Sequence, residues 1–160
     1  MDRETLSKVL LALPIDKTLI LGIGHRLKGD DGVGPFICDL IEDRINAEVL
    51  DVGSTPENYI GPIVALKPSA ILMLDAADIG QEPGSYTLLP REGLATTLAS
   101  THALSWQLLW DTLGQYMPMS VYFLGIQPAS TALGESLTKP VEQTAYIIAE
   151  ELMSIFAKSA

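Results

Sequence analysis

The chain has a single cysteine, Cys38, in 160 residues, so no disulfide can form within it and packing alone must hold its core. It is also short of basic side chains: ten Lys and Arg stand against twenty Asp and Glu, a formal net charge of -10. A surface with that field repels phosphate backbones and anionic lipid headgroups, which argues against nucleic acid and membrane partners and favours a basic protein segment. Apolar runs long enough to span a bilayer are missing. The N-terminal run from Val9 to Ile15 is short, follows acidic residues and lacks a small-residue cleavage site, so it does not read as a secretory signal and a cytoplasmic location is expected. No internal repeat or low-complexity linker divides the sequence. One domain spanning 1–160, burying roughly 70% of its unfolded surface, is the expectation.

What is present is an alternation of apolar runs, bounded by turn residues, with stretches of helical period. This pattern predicts an α/β fold: a three-layer α/β/α arrangement around a mainly parallel five-stranded sheet. Strands are expected at Thr18 to Ile23, Ala47 to Asp51, Ala70 to Asp75, Ser85 to Leu89 and Ser120 to Gly125, the fourth of them antiparallel. Helices are expected at Glu4 to Leu13, along Val33, Phe36, Ile37, Leu40, Ile41 and Ile45, from Pro56, at His102 to Leu113, and from Pro140 to about Phe156. A weakly patterned segment ending at Ala99 is a sixth candidate.

Three segments carry potential metal ligands where a strand meets a loop: GIGHRLKGDDGVG at 22–34, LMLDAAD at 72–78 and STHALSW at 100–106. Their ligands are Asp31, Asp75 and His102. Two carboxylates and an imidazole suit a borderline divalent ion such as zinc or nickel, and three protein ligands leave coordination positions for substrate or water. Each residue also has a structural reading. Asp30 and Asp31 precede a helix, where carboxylates cap free backbone donors. Asp75 could serve a turn, and His102 could be an exposed residue at a helix start. The dinucleotide-binding fingerprint fails, because Leu27 stands where its third glycine belongs, and Gly29 is not followed by a Walker-type Gly-Lys-Ser/Thr turn. Neither aspartate is flanked by the Asp-Thr-Gly repeat of an aspartic-protease dyad.

The series GIGHRLKGDDGVGP, DVGSTPEN, LMLDAADIGQEPG, STHALS and YFLGIQP, running from Thr18 to about Phe156, resembles the hydrogenase maturation endopeptidases in order and spacing, most nearly the hydrogenase-3 type. The resemblance implies an α/β/α fold and removal of a C-terminal extension from the large-subunit precursor of a nickel-iron hydrogenase after nickel insertion. It carries the family's two acidic ligands onto Asp31 and Asp75 and its histidine onto His102, the positions expected to be both metal-binding and catalytic. Nickel supplied by the substrate is then the expected cofactor, with zinc or cadmium able to substitute in the isolated protein.

Two departures from the family pattern stand out. His25 occupies the position after Gly-x-Gly where Asn is usual, and the usual Asp-Gly-Gly reads Asp51, Val52, Gly53. The first is either a tolerated polar substitution or a base near the metal, and the second removes a glycine from an expected substrate-facing turn. Cys38 reads as a small buried hydrophobe, and Trp106 and Trp110 as packing residues one helical turn apart. For mechanism, a resident metal could activate water, or the ion could be the substrate's own nickel, recognised before the nearby bond is cut. The resemblance favours recognition. A metal-binding chaperone or scaffold that does not cut is the alternative outside enzymology.

Overall fold

The computed structural model describes residues 1–91 and 103–158, the side chains of 103–105 excepted. Strands β1 (Thr18–Ile23), β2 (Glu48–Gly53), β3 (Ala70–Ala76), β4 (Tyr86–Pro90) and β5 (Ser120–Ile126) form one sheet in the order β2-β1-β3-β5-β4. The β1/β2, β1/β3 and β3/β5 pairs are parallel, and β4 runs antiparallel to β5, as the sequence pattern predicts. β1 and β3 lie in the middle of the sheet and are buried along their whole length. This explains why both read as continuous apolar runs without the alternation of a half-exposed strand.

Helices cover both faces. α1 (Arg3–Leu11), α2 (Val33–Ile41) and α5 (Lys139–Ile155) pack on Ile20, Leu72, Leu74 and Leu124 of the sheet. α3 (Ile60–Leu66) and α4 (Ala103–Tyr116) pack on Leu19, Leu21, Ile71, Met73 and Phe123 of the opposite face. The two sets of sheet residues alternate along each strand, so the pleat itself sorts the core into two layers. Val141, Ala145, Ile148 and Leu152 form the buried stripe of α5. Trp106 and Trp110 are buried on α4, with ring centroids 6.1 Å apart, so both are packing residues. The Trp110 indole N–H donates to Met73 Sδ at 2.8 Å, whereas Trp106 Nε1 finds no acceptor among the described residues.

Several element ends differ from the sequence reading, β2, α4 and β5 by one to three residues. α1 stops at Leu11, short of Leu13. α2 stops at Ile41, because Glu42 leaves the helical region and Asp43 adopts a φ of 62°. Ile45 is buried as expected, but in an isolated bridge to Ala157, with the neighbouring Asn46 N–H donating to the Phe156 carbonyl at 2.6 Å. A tertiary contact with the C-terminal segment thus buries a residue whose spacing mimicked one more helical turn. Pro56 opens a short 3-10 turn, Pro56–Tyr59, that leads into α3. The sixth helix candidate, ending at Ala99, lies outside the described residues.

The order of strands creates a switch point. The chain leaves β1 towards α2 and β2 on one side and returns through α3 to β3 on the other, so the loops after β1 and β3 diverge and leave a crevice at their carboxyl ends. Open α/β sheets bind ligands in such crevices.

Candidate functional site

The loop that leaves β1 comes back as a tight 3-10 turn, Gly29–Gly32, directly against the sheet, and α2 begins there. Two glycines make this approach possible. A side chain at Gly34 would drive into the carbonyl oxygens of Leu74 and Ile23, and one at Gly24, where φ is 145°, would collide with the Asp31 carbonyl. The N-terminus of α2 is therefore seated on the ends of β1 and β3. This seating sets Asp31 at the same sheet edge as Asp75, and the Gly29–Gly32 turn packs against β3.

Asp31 is buried, and its Oδ2 accepts from the His25 backbone N–H at 2.9 Å. Its carboxylate reaches back across the β1 exit loop to a donor outside both the Gly29–Gly32 turn and α2. Asp75, fully buried, is the penultimate residue of β3 and shares the pleat alternation of Ile71 and Met73 on the α3/α4 side. His102 lies outside the described residues, immediately before α4 begins at Ala103. Among the described residues no group of three His, Cys, Asp or Glu side chains is arranged to hold a metal ion.

His25 is drawn into the turn. Its Nδ1 accepts from the Leu27 backbone N–H at 3.1 Å, which in the neutral ring puts the proton on Nε2 and leaves neither nitrogen offering a lone pair to a metal. The side chain shapes the loop that presents Asp31. Val52, the other departure from the family pattern, is buried among Leu19, Leu21 and Ile63 on the α3/α4 side, so the missing glycine costs the crevice no open space. Asp51 holds the adjoining turn, accepting from the Gly53 N–H at 3.0 Å and from Arg26 Nη2 at 2.7 Å. Arg26 also reaches both oxygens of Asp39, at 2.6 and 2.9 Å. The bonds to Asp39 first, and then to Asp51, raise the guanidinium pKa above its ordinary value.

Asp30 has a role that sequence spacing does not reveal. It is fully buried, and its carboxylate takes four hydrogen bonds from one distant loop: Oδ2 from the N–H groups of Ala129 at 2.8 Å and Ser130 at 3.1 Å and from the Thr138 hydroxyl at 2.8 Å, and Oδ1 from the Thr138 N–H at 2.7 Å. Asp30 N–H donates back to the Ser130 carbonyl at 2.9 Å. The same post-β5 loop begins with Gln127, whose Oε1 accepts from the Ile79 N–H at 2.7 Å, just beyond β3. One loop therefore ties down both chain segments that carry Asp31 and Asp75. Its sequence signal was thin: paired aspartates where one ligand is expected, and a Gln in the YFLGIQP segment.

Cys38 is buried in α2, its Sγ 3.9 Å from the Leu50 carbonyl oxygen. Burial pushes its pKa up to about 12, so it serves as a packing residue and not as a nucleophile.

These features define a doubly wound α/β domain with buried carboxylates gathered at its switch point. The family model for hydrogenase maturation proteases matches residues 38–155. The Hydrogenase 3 maturation protease of Escherichia coli (strain K12) is 31% identical over 137 residues, which cover 84% of this chain and 87% of that protein. The crystal structure of a NiFe hydrogenase maturation protease, HycI, from Thermococcus kodakarensis KOD1 is similar with a TM-score of 0.82 at 26% identity, over 95% of this chain and 98% of that one. The solution structure of the endopeptidase HycI from Escherichia coli gives a TM-score of 0.76 at 29% identity, over 90% and 97%. The chain belongs to the hydrogenase maturation protease family and is a peptide hydrolase.

Proposed function

We propose that this protein removes the C-terminal extension of a nickel-iron hydrogenase large-subunit precursor after nickel insertion, and that Asp31, Asp75 and His102 recognise the nickel already seated in that substrate. The observation that carries the reading is the pair of buried carboxylates at one sheet edge, Asp31 on the turn that caps β1 and Asp75 at the end of β3. Two carboxylates with one imidazole form a donor set suited to nickel, and equally to zinc or cadmium in the isolated protein.

In this mechanism the trio grips the nickel and so fixes the precursor's tail, leaving its scissile bond at the crevice. Holding the bond and a water together converts hydrolysis into a positioned reaction, and water adds across the C–N bond to give a new carboxylate and a free amine. The loop after β5 keeps the two aspartate-bearing segments in place, and the His25 turn holds the Asp31 carboxylate. No helix among the described residues is long and apolar enough to cross a membrane.

The test is incubation with nickel-loaded and nickel-free precursor from the same cell, read by intact mass. Nickel recognition predicts trimming of the loaded form alone, by enzyme purified without added metal and insensitive to chelator treatment before mixing. Equal trimming of both forms, lost on chelation and restored by zinc, identifies a resident catalytic metal. Binding of loaded precursor without any loss of mass identifies a non-cleaving chaperone.

A further inference from the structure

β2 is a terminal strand of the sheet, paired with β1 on one side and bordered by no other strand among the described residues. Its Val49 and Leu50 are half-buried, and its Glu48 and Asp51 are exposed. A free edge of this kind presents a row of backbone donors and acceptors to any extended chain. Both ends of the strand open onto hollows. At its start lies a depression of about 410 Å³ whose lining includes four carboxylates, Asp16, Glu42, Asp43 and Glu48, against one ammonium, Lys158. At its end lies a depression of about 300 Å³ lined by Gly24, His25, Arg26, Asp51, Gly53 and Ser54, with Arg26 paired to Asp51, and the backbone N–H of His25 on this turn donates to Asp31. The edge thus runs about 20 Å, six residues at strand rise, from an acidic hollow to the turn that carries His25.

We infer that the open edge of β2 receives the precursor's C-terminal tail as an added strand, with basic side chains of the tail in the acidic hollow. The inference rests on the proposed substrate. Charge selects the occupant: the acid-rich residues lie at the start of β2, in the hollow and at the exposed Glu48, while Asp51 is already paired with Arg26, so a basic extended segment is favoured there over a second copy of this net-acidic chain. A basic extended segment meets the opposite field, and pairing along β2 leads its backbone to the turn beside Asp31.

The test uses the large-subunit precursor and a synthetic peptide of its C-terminal tail, with and without N-methyl groups on alternate backbone nitrogens. Docking predicts slowed amide exchange across Glu48–Gly53 on addition of either precursor or peptide, and at least about tenfold weaker binding of the methylated peptide. Glu48→Lys, at an exposed residue outside the cutting machinery, should raise KM for the precursor about three- to fivefold with kcat unchanged, an effect that disappears near 1 M salt. Unchanged exchange across β2 while the precursor is trimmed normally, or a protein dimer protecting β2 without peptide, overturns the inference. Protection of β2 by a precursor that is never trimmed supports the docking edge and defeats the proposed function, so the two failures are distinguishable.

Discussion

The two sides of the crevice are built on opposite plans. On the β5 side, the Asp30 carboxylate takes four hydrogen bonds from Ala129, Ser130 and Thr138, and the Gln127 side chain holds the backbone beyond β3. On the β2 side the last strand has one neighbouring strand among the described residues, and charged residues and shallow hollows border its other edge. The wired side can hold aspartates in a fixed place because its loops have no freedom to spend on anything else. The open side has a strand edge that pairs with no second strand among the described residues, which is the edge inferred to receive the tail. A peptidase needs both, a rigid grip next to a surface that accommodates an extended substrate.

The sharpest way to break this contrast is at the aspartates that the wiring positions. Asp75→Asn and Asp31→Asn preserve shape and remove charge, so each is expected to lower precursor trimming at least about a hundredfold, beyond the usual cost of disturbing a metal ligand's supporting shell, with melting temperature little changed. Trimming at wild-type rate in either variant, measured by intact mass, would remove that residue from the site. The wiring itself is tested by Asp30→Ala. This leaves four part-buried donors without their acceptor and should cost about 2–4 kcal/mol in denaturant unfolding, or roughly 10 °C in melting temperature for a chain of this size. A loss under about 1 kcal/mol would show that the loop after β5 does not hold the site together.

Gln127→Ala probes the second staple, where the Ile79 N–H at 2.7 Å and the Gln81 N–H at 3.4 Å lose their shared acceptor. The expected cost is about 1–2 kcal/mol, with faster amide exchange in 78–81 and unchanged exchange in β2. Equal loosening of both sides would dissolve the distinction between them. The smallest effect concerns Cys38, behind β2, whose pKa is pushed up to about 12 by burial. Its thiolate is scarce at pH 8, so alkylation of the native protein should run at least about a hundredfold slower than in urea-unfolded chain, and slower still with the tail peptide bound. Rapid native labelling would show that β2 opens readily, making the free edge a fraying strand and not a prepared one.

The sequence determined the elements and most of the architecture by itself. Continuous apolar runs at Thr18 to Ile23 and Ala70 to Asp75 can be buried on both faces only in the middle of a parallel sheet, and helical stripes such as Val141, Ala145, Ile148 and Leu152 must face it. The motif series also pointed to the family, and strand-end chemistry singled out Asp31 and Asp75. What local pattern could not carry was any bond between distant segments. Ile45 looked helical by spacing but is buried by its bridge to Ala157, and Asp30 looked like a cap but clamps a loop about a hundred residues away. Val52, a departure in the motif, is absorbed by the core, and His25 spends its Nδ1 on a neighbouring backbone N–H. Periodicity encodes which face of an element is apolar, because that preference is a property of nearby residues; which donor meets which carboxylate, and which sheet edge stays open, is settled only when the strands take their order.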